Sequence, residues 1–225
     1  MVSREAMQAV ALVPIKLNNE RLPGKNIKLM ADGQPLLNHL LATLRLVNQI
    51  SATYVYCSDE QILPLVEKSG ARFLQRSPDL DSSTTSSNDI LAAFVHAVDA
   101  DIYVLAHATS PFLRANSLAE GVEAIRSGEF DSALSVQEVR NFYWTEGRPA
   151  NYEPAAIPRT QDLVPIYLET SGFYAFRREV FLKTGRRIGD KPRLVTVDAI
   201  EAVDIDNAID FQIADAMLAC GLTQE

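Results

Sequence analysis

A mostly parallel α/β sheet with helices on both faces is the fold this sequence predicts, and three observations predict it. Short, β-rich apolar runs alternate with amphipathic stretches of helical period along most of the chain. Cap residues and glycines stand where the helices should begin and end. The 225 residues, 47% hydrophobic and 22% charged, supply core enough for one large domain and would be crowded as two.

The first run, "AVALVPI", is followed by a loop and then by "PLLNHLLATLRLVNQI", whose leucines recur at helical spacing. "TYVYCS" and "RFLQ" bracket the helical "DEQILPLVEKSG", in which Ser58 precedes Gln61 by three residues as in a capping box. Pro64 should kink that helix, and Gly70 should close it. "NDILAAFVHAVD", "DIYVLAH", "LAEGVEAIRSG" and "SALSV" continue the alternation, with Ser117 three before Glu120 as a second capping box and Gly128 at the far end. These βαβ units give a Rossmann-like sheet. From about 140 to 165 the period fails. The segment "RNFYWTEGRPANYEPAAIPRTQDLVP" is rich in proline, asparagine, aromatics and charge, and reads as an inserted arm within a single domain spanning 1–225. Beyond it lie a strand-like "IYLETSGFYAF", a short helix from Arg178, an extended segment to Val203 and a last helix from about Asn207 to Leu218.

A formal net charge of -8 argues against a nucleic-acid or anionic-membrane partner, because such binding needs a surplus of Lys and Arg over a face. Cys57 and Cys220 are too few for a disulfide framework or a zinc site, and the first apolar run is too short to span a bilayer. A soluble cytoplasmic protein is the expectation. Positive charge must then act locally, and the loop "KLNNERLPGKN" after the first strand concentrates it. Lys16, Arg21 and Lys25 could together neutralise a polyphosphate, with Asn18 and Asn26 donating hydrogen bonds, Pro23 stiffening the loop and Gly24 allowing close backbone approach. The loop fits neither G-x-G-x-x-G nor the P-loop pattern. A solvated basic turn is the alternative.

Near the C-terminus "EAVDIDNAID" places Asp204 and Asp206 on one face of an extended segment. Two carboxylates so arranged suit Mg²⁺, which completes its octahedron with water and phosphate oxygens. On the local sequence alone Asp206 could equally cap the last helix and Asp204 be solvated. Asp210 reads as an outer-shell or surface carboxylate.

"PIKLNNERLPGKN" resembles the signature loop of the cytidylyltransferases that activate acidic sugars, the CMP-acylneuraminate and CMP-3-deoxy-manno-octulosonate synthetases, with the pattern A-R-x-x-S-x-R-L-P-x-K-N. "FLQRSPDLDSSTTSSNDIL", "HATSPFLR", "IPRTQD" and "EAVDIDNAIDFQIA" follow in family order, so the likeness covers nearly the whole chain. The resemblance implies CTP and an acidic 2-keto sugar as substrates. It gives Lys25 and Asn26 phosphate contacts, with Lys25 also catalytic, and matches Arg21 to the arginine of the octulosonate branch. Lys16 stands where the family has arginine, keeping the charge and losing the fork. Arg76 and Ser82 resemble the segment beside the nucleotide, although Ser82 to Ser87 also read as a turn and helix cap. Asp204 and Asp206 match the family's metal-binding D-x-D, which favours Mg²⁺ there. On the acceptor side the resemblance assigns His107, Arg159, Gln161, Glu169 and Ser171. It also implies a homodimer whose arm carries Arg159 across. The "ETSG" segment replaces the Arg-x-Asn-Gly of the acylneuraminate branch, so plain N-acetylneuraminate is disfavoured. Arg186, Arg187 and Lys191 read as a solvated turn in preference to an anion contact. A sugar 1-phosphate nucleotidyltransferase using another nucleotide, and a CMP-sugar-binding homologue without turnover, stand as alternatives.

Overall fold

In β1 (Ala9–Pro14) every residue before the final proline is buried, because β1 lies inside a sheet covered on both faces. The computed structural model describes residues 7–223. In chain order the further elements are α1 (Leu36–Arg45), β2 (Ile50–Cys57), α2 (Leu63–Ser69), β3 (Arg72–Gln75), α3 (Ser87–Ala97), β4 (Ile102–Ala106), α4 (Ala115–Arg126) and β5 (Ser132–Val139). Then come β6 (Trp144–Thr145), β7 (Arg148–Pro149), β8 (Ile166–Arg177), α5 (Arg178–Thr184), β9 (Pro192–Val197) and α6 (Ala208–Ala219). The main sheet has seven strands in the order β3-β2-β1-β4-β8-β5-β9. Only β8 runs against the rest, pairing antiparallel with both β4 and β5.

The side-chain alternation of β1 divides the core. Ala9, Ala11, Val13 and Ile15 pack with the leucines of α1, Val66 of α2 and Leu118, Val122 and Ile125 of α4. Val10 and Leu12 pack on the opposite face with Leu91, Phe94 and Val95 of α3 and Phe181 of α5. Each fully buried aliphatic or aromatic side chain contributes about 1.5 to 3 kcal/mol. Gly121 lets α4 lie against the sheet: a Cβ there would be 2.6 Å from the Phe173 ring. A third cluster of Met30, Leu36, Phe112, Ile205 and Phe211 fixes α6 beside the carboxyl ends of β1 and β4.

Three cap expectations need correction. Pro64 falls in the first turn of α2, after a 3-10 turn at Glu60–Ile62, so its missing N–H costs no helical bond and no kink is needed. Asp59, not Ser58, accepts from the backbone of Gln61, while the Ser58 hydroxyl bonds Asp81. Ser117 lies inside α4, whose start is served by a distant carboxylate: Glu201 Oε1 accepts from Arg114 N at 2.8 Å. Gly70 and Gly128 close their helices in the left-handed region, as expected.

The arm holds the two-residue strands β6 and β7 and a 3-10 turn at Thr160–Asp162. Phe142 and Tyr152 meet edge to face with centroids 4.7 Å apart, so two of the arm's aromatics pack on one another. Trp144 stays exposed. Arg140 Nη1 fastens the arm's far end by donating to Leu163 O at 2.7 Å.

Candidate active site

Where β1 and β4 lie side by side their connections leave in opposite directions, and the crevice beyond their carboxyl ends is open to a ligand. A cavity of about 420 Å³ occupies it, lined among others by Lys16, Arg21, Lys25, Arg76, Ser82, His107 and Asp206. Residues some 190 positions apart in sequence are thus gathered at one strand end. Of the loop asparagines, Asn19 lines the cavity and Asn18 is exposed away from it, so the polar contact moves by one residue. Asn26 is buried and spends its amide on Lys16 O at 2.9 Å and Asn19 Oδ1 at 3.5 Å. It shapes the loop from beneath.

Gly24, at φ 68°, turns the chain into a short 3-10 helix that starts with Lys25 and aims this side chain inward. Lys25 Nζ donates to Ile205 O at 2.7 Å. Ile205 is fully buried, and its own N–H donates to Thr109 O at 2.8 Å. Held from both sides, Ile205 presents the carboxylates that flank it. Burial lowers the Lys25 pKa, and Asp206 and then Asp204 oppose that shift.

The two readings of Asp206 are now separable. Asn207 caps α6, accepting from Ile209 N and Asp210 N, and Asp210 completes the capping box. Asp210 Oδ2 accepts from the N–H groups of both Asp206 and Asn207 at 2.9 Å, so it braces the D-x-D segment from behind. The Asp206 side chain is therefore free of cap duty and faces the cavity, with Oδ2 2.8 Å from Arg21 Nη1. Asp204 Oδ1 is buried without a hydrogen-bond partner. A buried carboxylate oxygen left unpaired is costly. A cation would satisfy it, and Asp204 and Asp206 could hold one that takes its other ligands from phosphate and water. Among the described residues no cluster of three or more His, Cys, Asp or Glu forms a cage. Mg²⁺ needs none.

Arg76 is 2% exposed, and its Nη2 donates to Ile15 O at 2.9 Å and to Asp81 at 2.5 Å. Its fork is spent on holding the end of β1, which leaves it a wall of the cavity. Ser82 lines the same wall, its hydroxyl 2.8 Å from Thr84 Oγ1. Within the Ser/Thr cluster it is Ser86 that caps α3, with Asp89 closing the capping box.

His107 lies just past the end of β4. Its Nδ1 is 2.6 Å from Ser171 O, and since a carbonyl only accepts, the proton sits on Nδ1 and Nε2 is left as an acceptor. Burial lowers its pKa, the Ser171 contact opposes this, and Arg187 adds to the lowering. Ser171 reaches His107 because it occupies a left-handed conformation, φ 58°, where the register of β8 against β5 shifts. Its contribution is thus a backbone carbonyl. Glu169 Oε2 accepts from the Tyr174 hydroxyl at 2.7 Å. Arg159 and Gln161 do not line the cavity: Arg159 Nε and Nη2 bond the Asp162 carboxylate at 2.8 and 3.0 Å on the arm. Sequence reasoning missed Asn19, Tyr174 and Glu201. Only Asn19, adjacent to an assigned residue, left a signal.

Residues 10–201, from the first strand to the carboxylate that caps α4, match the family model described as cytidylyltransferase. The chain belongs to the cytidylyltransferase family. It is 30% identical over 221 residues to N-acylneuraminate cytidylyltransferase A of Danio rerio, covering 94% of this chain and 51% of that protein. It is 26% identical over 228 residues to CMP-N,N'-diacetyllegionaminic acid synthase of Legionella pneumophila, covering 94% and 97%. The chain spans about half the length of the fish cytidylyltransferases it matches. The solved structure of a CMP:2-keto-3-deoxy-manno-octonic acid synthetase complexed with CTP shares the fold, with a TM-score of 0.71 at 18% identity over 95% of this chain and 99% of that one. Across this family fold, helices cover both faces of the sheet as the sequence predicted.

Proposed function

We propose that this chain couples CTP to the anomeric hydroxyl of an acidic 2-keto sugar of the ulosonic or nonulosonic class, giving a CMP-sugar and pyrophosphate. The observation that carries this reading is the bond from Lys25 Nζ to Ile205 O, which ties a basic strand-end loop to the Asp204–Asp206 segment, whose Asp206 lines the cavity. The names of the Danio rerio and Legionella pneumophila relatives, which act on acylneuraminate and a legionaminic acid, support the sugar class.

In this reading the sugar oxygen forms a bond to the α-phosphorus, the bond from that phosphorus to the pyrophosphate oxygen breaks, and the hydroxyl proton passes to solvent. Lys16, Arg21 and Lys25 hold the leaving phosphates, and the positioning they provide, more than covalent participation, lowers the barrier. Asp204 and Asp206 would hold Mg²⁺, which supplies charge neutralisation at the phosphates. His107, with a low pKa and an accepting Nε2, receives a hydrogen bond from the acceptor.

A two-fold homodimer belongs to the same proposal. Trp144, Ile157, Val164, Tyr167 and Leu168 leave apolar surface exposed on the arm and on the adjoining end of β8, the kind of surface that marks an interface. Within one chain Arg159 does not line the cavity and pairs with Asp162, so a role at the acceptor would come from the arm of a second copy. No helix among the described residues is long and apolar enough to cross a membrane. The function is tested by pyrophosphate release from CTP, UTP, GTP and ATP with a panel of ulosonic acids and sugar 1-phosphates. Release confined to CTP with an acid is the expected result.

A further inference from the structure

The structure separates the three cations that the sequence groups as one solvated turn. Arg186 Nη2 pairs with Asp190 at 3.1 Å, and Lys191 Nζ lies 5.7 Å from the Phe130 ring centroid. Arg187 does something else. Its guanidinium stacks on the face of Tyr174, 3.7 Å from the centroid, is half-buried, and has no ion-pair partner among the described residues. The same Tyr174 ring meets His107 edge on, with centroids 6.4 Å apart. Ser87 lines both the main cavity and a second one bounded by Arg187, so the two adjoin.

The turn that carries Arg187 is fixed in place. Asp131 Oδ2 accepts from the backbone of Asp190 at 2.8 Å and of Lys191 at 3.0 Å, and Gly189 N donates to Ser132 Oγ at 2.9 Å. Any side chain at 189 would strike Asp131, with a Cβ 2.4 Å from its carboxyl carbon. A guanidinium held over an aromatic ring can still offer an N–H edge for two parallel bonds to a carboxylate. A half-buried cation without a counter-ion favours an anion at that edge.

We propose that Arg187, with Tyr174 as its platform, is the residue that takes the carboxylate of the acceptor sugar and so selects acidic acceptors. This rests on the transferase reading and deepens it. It places the carboxylate contact on a residue of the same chain that borders the site, and leaves Arg159, whose fork bonds Asp162 on the arm, to meet the rest of the sugar from a second copy. A nucleotide phosphate is the other anion within reach, but the β1 loop already gathers Lys16, Arg21 and Lys25 for it, and Arg187 stands on the His107 side.

The test is calorimetry in the presence of Mg²⁺ and α,β-methylene-CTP. The probes are 3-deoxy-manno-octulosonate, N-acetylneuraminate and N,N'-diacetyllegionaminate, each beside its C1 carboxamide. The wild type should bind at least one acid about tenfold or more above its carboxamide, as loss of a charge-assisted contact implies. Arg187→Gln should bring that ratio close to one, Arg187→Lys should restore part of it, and Arg186→Gln should leave it intact. Nucleotide-analogue affinity should be the same in all four proteins, which also reports that each is folded. An undiminished ratio in Arg187→Gln, or a loss of analogue affinity with the ratio intact, overturns the assignment. Acid binding with the predicted ratios but no pyrophosphate release from CTP would sink the transferase reading and leave Arg187 standing. CTP-dependent turnover with an unchanged ratio would do the reverse.

Discussion

Arg21 and Asp206 meet at the cavity, Nη1 2.8 Å from Oδ2, and both side chains are largely exposed, at 68% and 47%. An ion pair so open to water is worth about 0 to 1 kcal/mol, so it is not there to hold the fold. In the proposed reaction its partners separate, the arginine to phosphate and the carboxylate to a cation. Arg21→Ala should therefore leave the melting temperature within about 2 °C of wild type while weakening CTP binding roughly tenfold. Calorimetry with CTP and thermal unfolding check the two halves. A large drop in stability with unchanged CTP affinity would make the pair structural.

Asp204→Asn and Asp206→Asn should each lower turnover by about two orders of magnitude or more, the usual size for losing a key electrostatic group. Asp204→Asn removes a carboxylate whose Oδ1 is buried without a partner, so its melting temperature should equal or exceed that of wild type. Steady-state rates with varied Mg²⁺, alongside thermal scans, decide the matter. Near-normal Mg²⁺-dependent rates in both variants would remove the metal assignment.

His107 predicts a pH signature. Its folded-state pKa lies below the ordinary 6.5, chiefly because burial disfavours the cation, so below that pH the unfolded chain binds a proton that the folded one resists. This contribution to stability is full above 6.5 and is lost as pH falls from 6.5 toward the folded value. Urea unfolding from about pH 7.5 to about pH 5.5 should show wild type losing more stability than His107→Gln. Parallel pH profiles for the two proteins would contradict the burial of this imidazole.

The dimer yields to mixing. If the arm of one subunit completes the acceptor site of the other, Arg159→Ala and Asp206→Asn proteins, each inactive alone, should regain part of the activity once they exchange subunits. Light scattering must first show twice the mass of one chain. A dimer that exchanges subunits without recovery would leave the assembly intact and end the shared site.

Most of the sheet was legible because β1, β2 and β4 are apolar runs at the right spacing, and a strand end and a D-x-D period pointed to Lys25 and Asp206, which line the cavity, and to Asp204, which does not. The reversal of β8 was not, since a strand buried between neighbours reads alike in either direction. Nor was the cap of α4, which Glu201 supplies from 87 residues away, while the local Ser117 pattern suggested otherwise. Arg187 looked like surface charge because its stacking partner, Tyr174, lies on a different element. Local pattern reports local partners. The choice between Asp206 and Asn207 as the cap of α6 likewise needed the geometry, because both residue types cap helices well.

The most direct test of the account is pyrophosphate release by the purified chain with Mg²⁺, each of the four nucleoside triphosphates, and a panel of ulosonic acids beside sugar 1-phosphates, with Asp206→Asn as the control. The account predicts release only when CTP and an acidic 2-keto sugar are both present, with the control slower by about two orders of magnitude. No release from CTP with any acid, or release that follows a sugar 1-phosphate and a different nucleotide, would contradict it.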